Sequence, residues 1–315
     1  MPDTATLIDS LDLRDEEGIR QASFTFSINL FTAATFAEFP HAALRCQELF
    51  LSVCPPERLH FYATETMRKH RAVTKKTLGT LARWATEPLD KKDYVSLELK
   101  DGDSEMDAPK ALFKFTSAEE GSPSFKSKNA NSVTLAFSPE LGLQRAGELQ
   151  SLLMRLLEIV PCVCATAGFA FHVTRYSSAA AEAYAVRTSM RYPETDIIRI
   201  PQDHRAVQQN ALKTVAWLTM VSEPLLSEFG GVDAVVKGLG PAITYGPAPG
   251  GTLFRIGERP TLHDRERGEQ ATDARALHLA LRPLIERAHD QGMWFSTGSR
   301  NQAEETASWF RRLEA

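Results

Sequence analysis

A chain of 315 residues, 43% of them hydrophobic, is long enough to bury a core without disulfide or metal staples, as one large domain or two ordinary ones. A formal charge of −4 and an isoelectric point near 6.1 argue against a nucleic-acid binder that works by neutralising phosphates, and suit a basic partner instead. No apolar run approaches the ~20 residues of a membrane helix, and the acidic start lacks the basic and apolar regions of a secretory signal, so a cytoplasmic protein with reduced thiols is expected.

Residues 1–20 read as a polar arm. Over 22–31, Phe24, Phe26, Ile28 and Leu30 alternate with Thr25, Ser27 and Asn29, which predicts a half-buried strand. Apolar residues at three- and four-residue spacing then predict a helix over 36–54 that packs on this strand and ends at Pro55-Pro56. A short strand over 59–62 precedes a basic helix over 64–85, whose Arg68, Lys69, Arg71, Lys75 and Lys76 form a solvated face. Three strands follow, over 94–99, 111–115 and 132–137. The acidic loop Asp101, Asp103, Glu105 and Asp107 separates the first two, and a polar stretch over 117–131 separates the second two.

The clearest helix spans 139–160, with Leu149, Leu152, Leu153, Leu156, Leu157 and Val160 as its core stripe. A strand over 165–174 and a helix over 178–191 capped by Ser178 come next, then a loop over 192–205. From 213 to 264 the pattern is strand (214–221), helix (223–229) stopped by Gly230-Gly231, and two strands (242–245 and 252–256) around the turn cluster 246–251. Trp217 is expected to anchor the core. Helices over 272–290 and 302–313 complete the chain. The fold class is α+β: mostly antiparallel sheet with helices on one face. The organisation is an N-terminal lobe (21–138) and a related C-terminal lobe (139–315), or one continuous domain.

Chemistry is sparse. Asp90 with Glu98 and Lys100 on one strand face has the form of a metal-dependent nuclease site, two carboxylates for Mg²⁺ and a lysine for the phosphate, but a solvated strand face is the more economical reading. His263-Asp264 reads as a loop hydrogen bond or a helix cap rather than as metal ligands. Cys162-Val163-Cys164 lacks two further ligands at metal spacing, so buried free thiols are expected. Gly246 to Gly251 lacks the Lys-Ser or Lys-Thr of a phosphate loop and reads as a hairpin turn. No catalytic residue, cofactor or metal ligand is assigned.

Trp217-Leu218-Thr219, the Gly230-Gly231 stop and Gly257-Glu258-Arg259-Pro260 leading into Asp264 together resemble the C-terminal signature of the type VI immunity family. The resemblance extends from about Phe24 to Pro283. It includes the lead-in Ser124-Phe125-Lys126-Ser127-Lys128-Asn129 and the junction Cys164-Ala165-Thr166-Ala167-Gly168-Phe169-Ala170. Cys164-Ala165 stands where the family shows His-Gly, and Thr214-Val215-Ala216 where Gly-Val-Asn precedes the tryptophan. What the resemblance implies is a non-enzymatic protein that binds a cognate toxin effector, expected to be a basic nuclease domain, with no membrane and no direct nucleic-acid contact. Asp101, Asp103, Glu105 and Asp107 are the expected partner-binding residues, since opposite potentials speed encounter. The alternatives are the Asp90/Glu98/Lys100 nuclease and an adaptor that loads the effector.

Overall fold

The computed structural model describes residues 8, 10–32, 39–86, 94–118, 131–176, 179–198, 210–289 and 295–314. The strands are β1 (Leu13–Arg14), β2 (Arg20–Thr32), β3 (Phe61–Thr64), β4 (Arg71–Ala72), β5 (Tyr94–Lys100), β6 (Leu112–Ala118) and β7 (Asn131–Phe137), followed by β8 (Cys162–Val173), β9 (Asp196–Ile198), β10 (Leu218–Ser222), β11 (Ile243–Ala248) and β12 (Gly251–Ile256). They join one sheet in the order β11-β12-β10-β8-β2-β7-β6-β5-β3-β4, with β1 beside β2 and β9 beside β8. All pairs are antiparallel except β8 with β9. The long strands β2 and β8, one from each half of the sequence, pair at the centre of the sheet.

The alternation in β2 sets up the two faces. Phe24, Phe26, Ile28 and Leu30 lie opposite Phe171, Phe169, Ala167 and Ala165 of β8, and all eight are buried. The helices cover this apolar face. Helix α1 (Phe39–Leu51) brings Phe50 to 5.9 Å from the Phe113 ring and 5.4 Å from the Phe137 ring. Later in the chain, Tyr184 of α6 (Ala179–Arg191) meets the Phe171 ring edge-on at 6.1 Å. Burying aromatic area of this kind is the dominant stabilising term.

The half-buried expectation for β2 is corrected: Ser23, Thr25, Ser27 and Asn29 on its other face are buried as well. Two loops cover them. The backbone at 108–109 accepts Arg20 Nε (2.7 Å, Ala108 O) and Ser23 Oγ (2.5 Å, Pro109 O). The segment 211–216 lies over Asn29 and Thr166, held by Lys213 Nζ on Ile197 O and Asp196 Oδ1, both at 2.9 Å. The strand expected from 214 therefore begins at Leu218, and Trp217 before it is buried against Phe26 at 6.0 Å, in its expected core role. Gly168 permits this approach, because a Cβ there would lie 3.1 Å from Ala216 Cβ and 3.2 Å from Trp217 N.

The expected basic helix over 64–85 does not form. After β3 a turn leads into the edge strand β4, and helix starts only at α2 (Lys75–Leu78), where Thr74 and Thr77 form a reciprocal capping box, followed by α3 (Thr80–Thr86). The helix over 139–160 breaks at Arg145 into α4 (Pro139–Gln144) and α5 (Ala146–Ile159), which keeps the expected leucine stripe buried. The expected Ser178 cap lies outside the described residues. Downstream, α7 (Glu223–Ser227) is followed by Gly230 and Gly231, both at positive φ (90° and 79°), and by α8 (Gly231–Val236). The helix over 272–290 divides at Leu281 into α9 (Thr272–Ala280) and α10 (Arg282–His289), with Pro283 in the first turn of α10. Helix α11 (Gln302–Phe310) docks on α6, where Trp309 Nε1 donates to Ser189 Oγ at 2.8 Å.

The β11–β12 strands run further into the turn cluster than expected, pairing Ala248 with Gly251. A Cβ on Gly251 would lie 2.1 Å from Val221 O and 2.7 Å from Ser222 Cα, backbone atoms of β10 that cannot give way. Gly251→Ala is therefore expected to cost about 2 kcal/mol or more by pushing the hairpin off β10. Urea unfolding of the variant beside the native chain measures it; equal midpoints would contradict this close packing.

Candidate functional site

Where loops leave the polar face of the sheet uncovered, a cleft of about 410 Å³ opens over β5, β6 and β8. Its floor carries Glu98, Lys114 and His172, and its walls Asp107, His70 and Arg175. Period-two geometry places Glu98 and Lys100 on this face, and antiparallel register puts Lys114 directly across from Glu98. Lys114 Nζ reaches Glu98 Oε2 at 2.9 Å, and His70 Nε2 reaches Oε1 at 2.8 Å. Tyr176 OH lies 3.2 Å from His70 Nδ1 and accepts His70 N at the same distance. Burial would raise the Glu98 carboxyl, but the Lys114 charge and the His70 hydrogen bond outweigh it and hold it well below the usual carboxylate range.

Lys100 turns away from this trio. Its Nζ donates to the backbone oxygens of Glu105 (2.8 Å) and Asp107 (2.5 Å), and burial, partly offset by Glu98, pulls its ammonium down to about 8. The structure thus brings Glu98 and Lys100 to one face, and it uses both to tie strands and loop together. Asp90 lies outside the described residues.

The acidic loop divides into two inward and two outward carboxylates. Asp107 is only 2% exposed: its Oδ1 accepts Arg20 N (2.8 Å) and its Oδ2 accepts Asp103 N (2.9 Å) and Ser104 N (3.2 Å). Burial opposes its ionisation, but these three N–H donors prevail and lower its pKa. Asp101 Oδ1 accepts the N–H groups of Lys110 (2.8 Å) and Ala111 (3.0 Å), closing the base of the loop. Asp103 is exposed, and Glu105 reaches out to Lys69 at 4.0 Å. Between Glu105 and Asp107, Met106 exposes 41% of its surface, while its backbone oxygen accepts Thr174 Oγ1 at 2.6 Å at the cleft wall. Loop and cleft are one continuous surface.

The remaining candidates are scaffold. Asp264 binds the Arg191 guanidinium through both oxygens (2.8 and 2.5 Å) and caps a 3₁₀ turn by accepting Glu266 N at 3.0 Å, while His263 Nδ1 bonds Glu194, which raises the imidazole pKa. Both fulfil the expected loop-bond and cap roles. All four cysteines are buried free thiols, and burial pushes Cys46 up to about 12 and Cys54 to about 11, which makes them poor nucleophiles. Among the described residues no group of three or more His, Cys, Asp or Glu has a geometry that could hold a metal ion, and no helix is long and apolar enough to cross a membrane. His70, Lys114 and Arg175 are cleft residues that sequence reasoning missed; for His70, the Thr74–Thr77 capping pair, which starts the helix only after residue 74, is the signal that excludes it from a helix.

Residues 42–313 match the family model TsiV, type VI immunity for VRR-NUC. The fold is similar to that of a solved structure described as Pseudomonas aeruginosa T6SS protein PA0821, with a TM-score of 0.80, 16% identity, and coverage of 99% of this chain and 90% of that one. No curated protein matches the sequence.

Proposed function

We propose, from the premise that this chain belongs to the type VI immunity family for VRR-NUC, that it binds a cognate type VI nuclease effector and neutralises it by covering the effector's catalytic domain. The observation that carries this reading is the match of the family over residues 42–313 of the 315. The work is done by binding and not by catalysis, in the cytoplasm of the cell that makes the effector, and the partner surface is basic. What supports the last point is the loop 101–107, whose inward carboxylates hold it rigid while Asp103 and Glu105 stay open beside the exposed Met106. A loop already ordered in the free protein loses little entropy on binding.

Co-expression of this chain is expected to rescue cells from the effector encoded beside it, and the two proteins to co-purify. Failure to form that complex overturns the reading. Asp103→Lys combined with Glu105→Lys is expected to lower the effector association rate about tenfold at low salt and less at high salt, since rim charges act mainly on encounter. Surface plasmon resonance at two ionic strengths reads both effects, and an unchanged rate removes the loop from the interface.

A further inference from the structure

We infer that the cleft on the polar face of the sheet is an anion-accepting pocket that takes an acidic side chain of the bound effector, with Lys114 and Arg175 as its donors. The inference rests on the immunity reading and adds to it a second, oppositely charged contact beside the acidic loop. It follows from which hydrogen-bonding capacity the cleft has left over.

Its carboxylates are engaged and largely buried: Asp107 and Glu182 are buried, and the Glu98 side chain is 13% exposed. Both oxygens of Glu98 are held, by His70 and Lys114. The oxygens of Asp107 take three backbone N–H groups, and Glu182 on the far wall accepts Ser296 N at 2.7 Å. Its donors are open. An ammonium carries three N–H bonds and a guanidinium five. Among the described residues Lys114 directs one at Glu98, with 24% of its side chain still exposed to the cleft. Among those same residues Arg175 directs one at Met67 O (3.3 Å) and lies 5.7 Å from the Tyr176 ring, and no other contact engages the rest of its fork. His172 adds no competing charge: burial first, then the charges of Lys114 and Lys213, push its pKa down to about 3, and its Nε2 is engaged with Ser27 Oγ at 2.6 Å. The charged groups the cleft leaves most open to a ligand are therefore the two cations Lys114 and Arg175, which favour an anion, and a carboxylate matches the guanidinium fork in two-point geometry.

The source of that anion follows from position. The cleft shares Asp107 and Thr174 with the loop, so a partner seated on Asp103, Glu105 and Met106 lies at its mouth, and about 410 Å³ admits a side chain with its flanking backbone. Meeting both signs of charge within one patch also fixes register, because a partner displaced by a few ångströms sets like charges against each other.

The test uses the full chain and the nuclease domain of its neighbouring effector. Arg175→Gln is expected to raise Kd about tenfold or more, as for one charge-assisted hydrogen bond, and Arg175→Glu to raise it further, with unfolding midpoints unchanged because Arg175 is exposed. The double variant Glu98→Gln/Lys114→Gln, which removes the ion pair as a unit, is expected to weaken binding in the same way. If Arg175→Glu and the double variant bind with native affinity while the Asp103/Glu105 variant does not, the pocket inference falls and the immunity reading stands. If the native chain fails to bind the effector, both fall. A parallel calorimetric titration with inorganic phosphate separates the sources: phosphate binding lost in Arg175→Glu, with effector affinity unchanged, marks a small-anion site and overturns the proposal.

Discussion

Asp107→Ala is expected to lose about 3 kcal/mol of stability and to weaken effector binding together, although Asp107 itself is closed to a partner. Its carboxylate accepts three backbone N–H groups, one on Arg20 and two inside the acidic loop, and alanine removes that acceptor from all three. The Arg20 amide is the costly one, since it sits in the buried end of β2 where water does not replace the lost acceptor. The loop amides can recover by opening to solvent, and that opening disperses Asp103, Glu105 and Met106. Asp107→Asn keeps one acceptor oxygen and is expected to fall between. The lowered Asp107 pKa gives the same contact a pH signature: its stabilisation is present above about pH 4 and is lost as pH falls through the folded value. Urea unfolding and effector affinity, measured on both variants, check the pairing of effects. A destabilised Asp107→Ala that binds the effector with native affinity would show that loop order does not matter to the complex.

The two inward aspartates show where sequence reading stopped. Asp101, Asp103, Glu105 and Asp107 alternate along the chain and look equivalent, and nothing local separates them. What divides them is contact with Arg20, 87 residues before Asp107, and with Lys110 and Ala111. His70 is a similar case, since its partners Glu98 and Tyr176 lie 28 and 106 residues away. By contrast, the central strands were legible, because period-two alternation in β2 and β8 is a property of consecutive residues. Their second face was not: burial of Ser23, Thr25, Ser27 and Asn29 depends on the loops at 108–109 and 211–216 closing over them. Of the motifs that carried the resemblance, Ser124 to Asn129 lies outside the described residues, while those around Gly168, Trp217 and Asp264 prove to be packing and capping. Gly168 lets Ala216 and Trp217 pass, Trp217 packs on Phe26, and Asp264 caps a turn. On the proposed reading, residues that mark the fold and residues that face a partner are therefore different sets here. The first pack within the sheet, and the proposed second set lies on the loop and the cleft rim.

Mild acid is expected to destabilise the protein by about 4 kcal/mol between pH 7 and pH 5, and two buried histidines account for it. His172 is held to about 3 by burial and then by the charge of Lys114, and His278 to about 4 by burial and then by the charge of Arg312. Both lie below the ordinary value of 6.5, so the unfolded chain binds protons that the native chain refuses. The sign follows directly: the stability tied to each is fully present above pH 6.5 and drains as pH falls from there toward the folded value. Each group then contributes a slope approaching 1.4 kcal/mol per pH unit, or about 2 kcal/mol by pH 5. His263 works in the opposite sense, since its hydrogen bond to Glu194 raises its pKa and its stabilisation is lost as pH rises through the folded value. It is more exposed than the other two, so screening makes its offset small. His172→Gln, which can still reach Ser27, is expected to remove about half the slope between pH 6.5 and 5. Urea unfolding of both proteins at several pH values in this window measures the slopes. Equal slopes would mean that His172 titrates normally in the fold, and hence that the polar face beneath the cleft admits water as freely as the surface does.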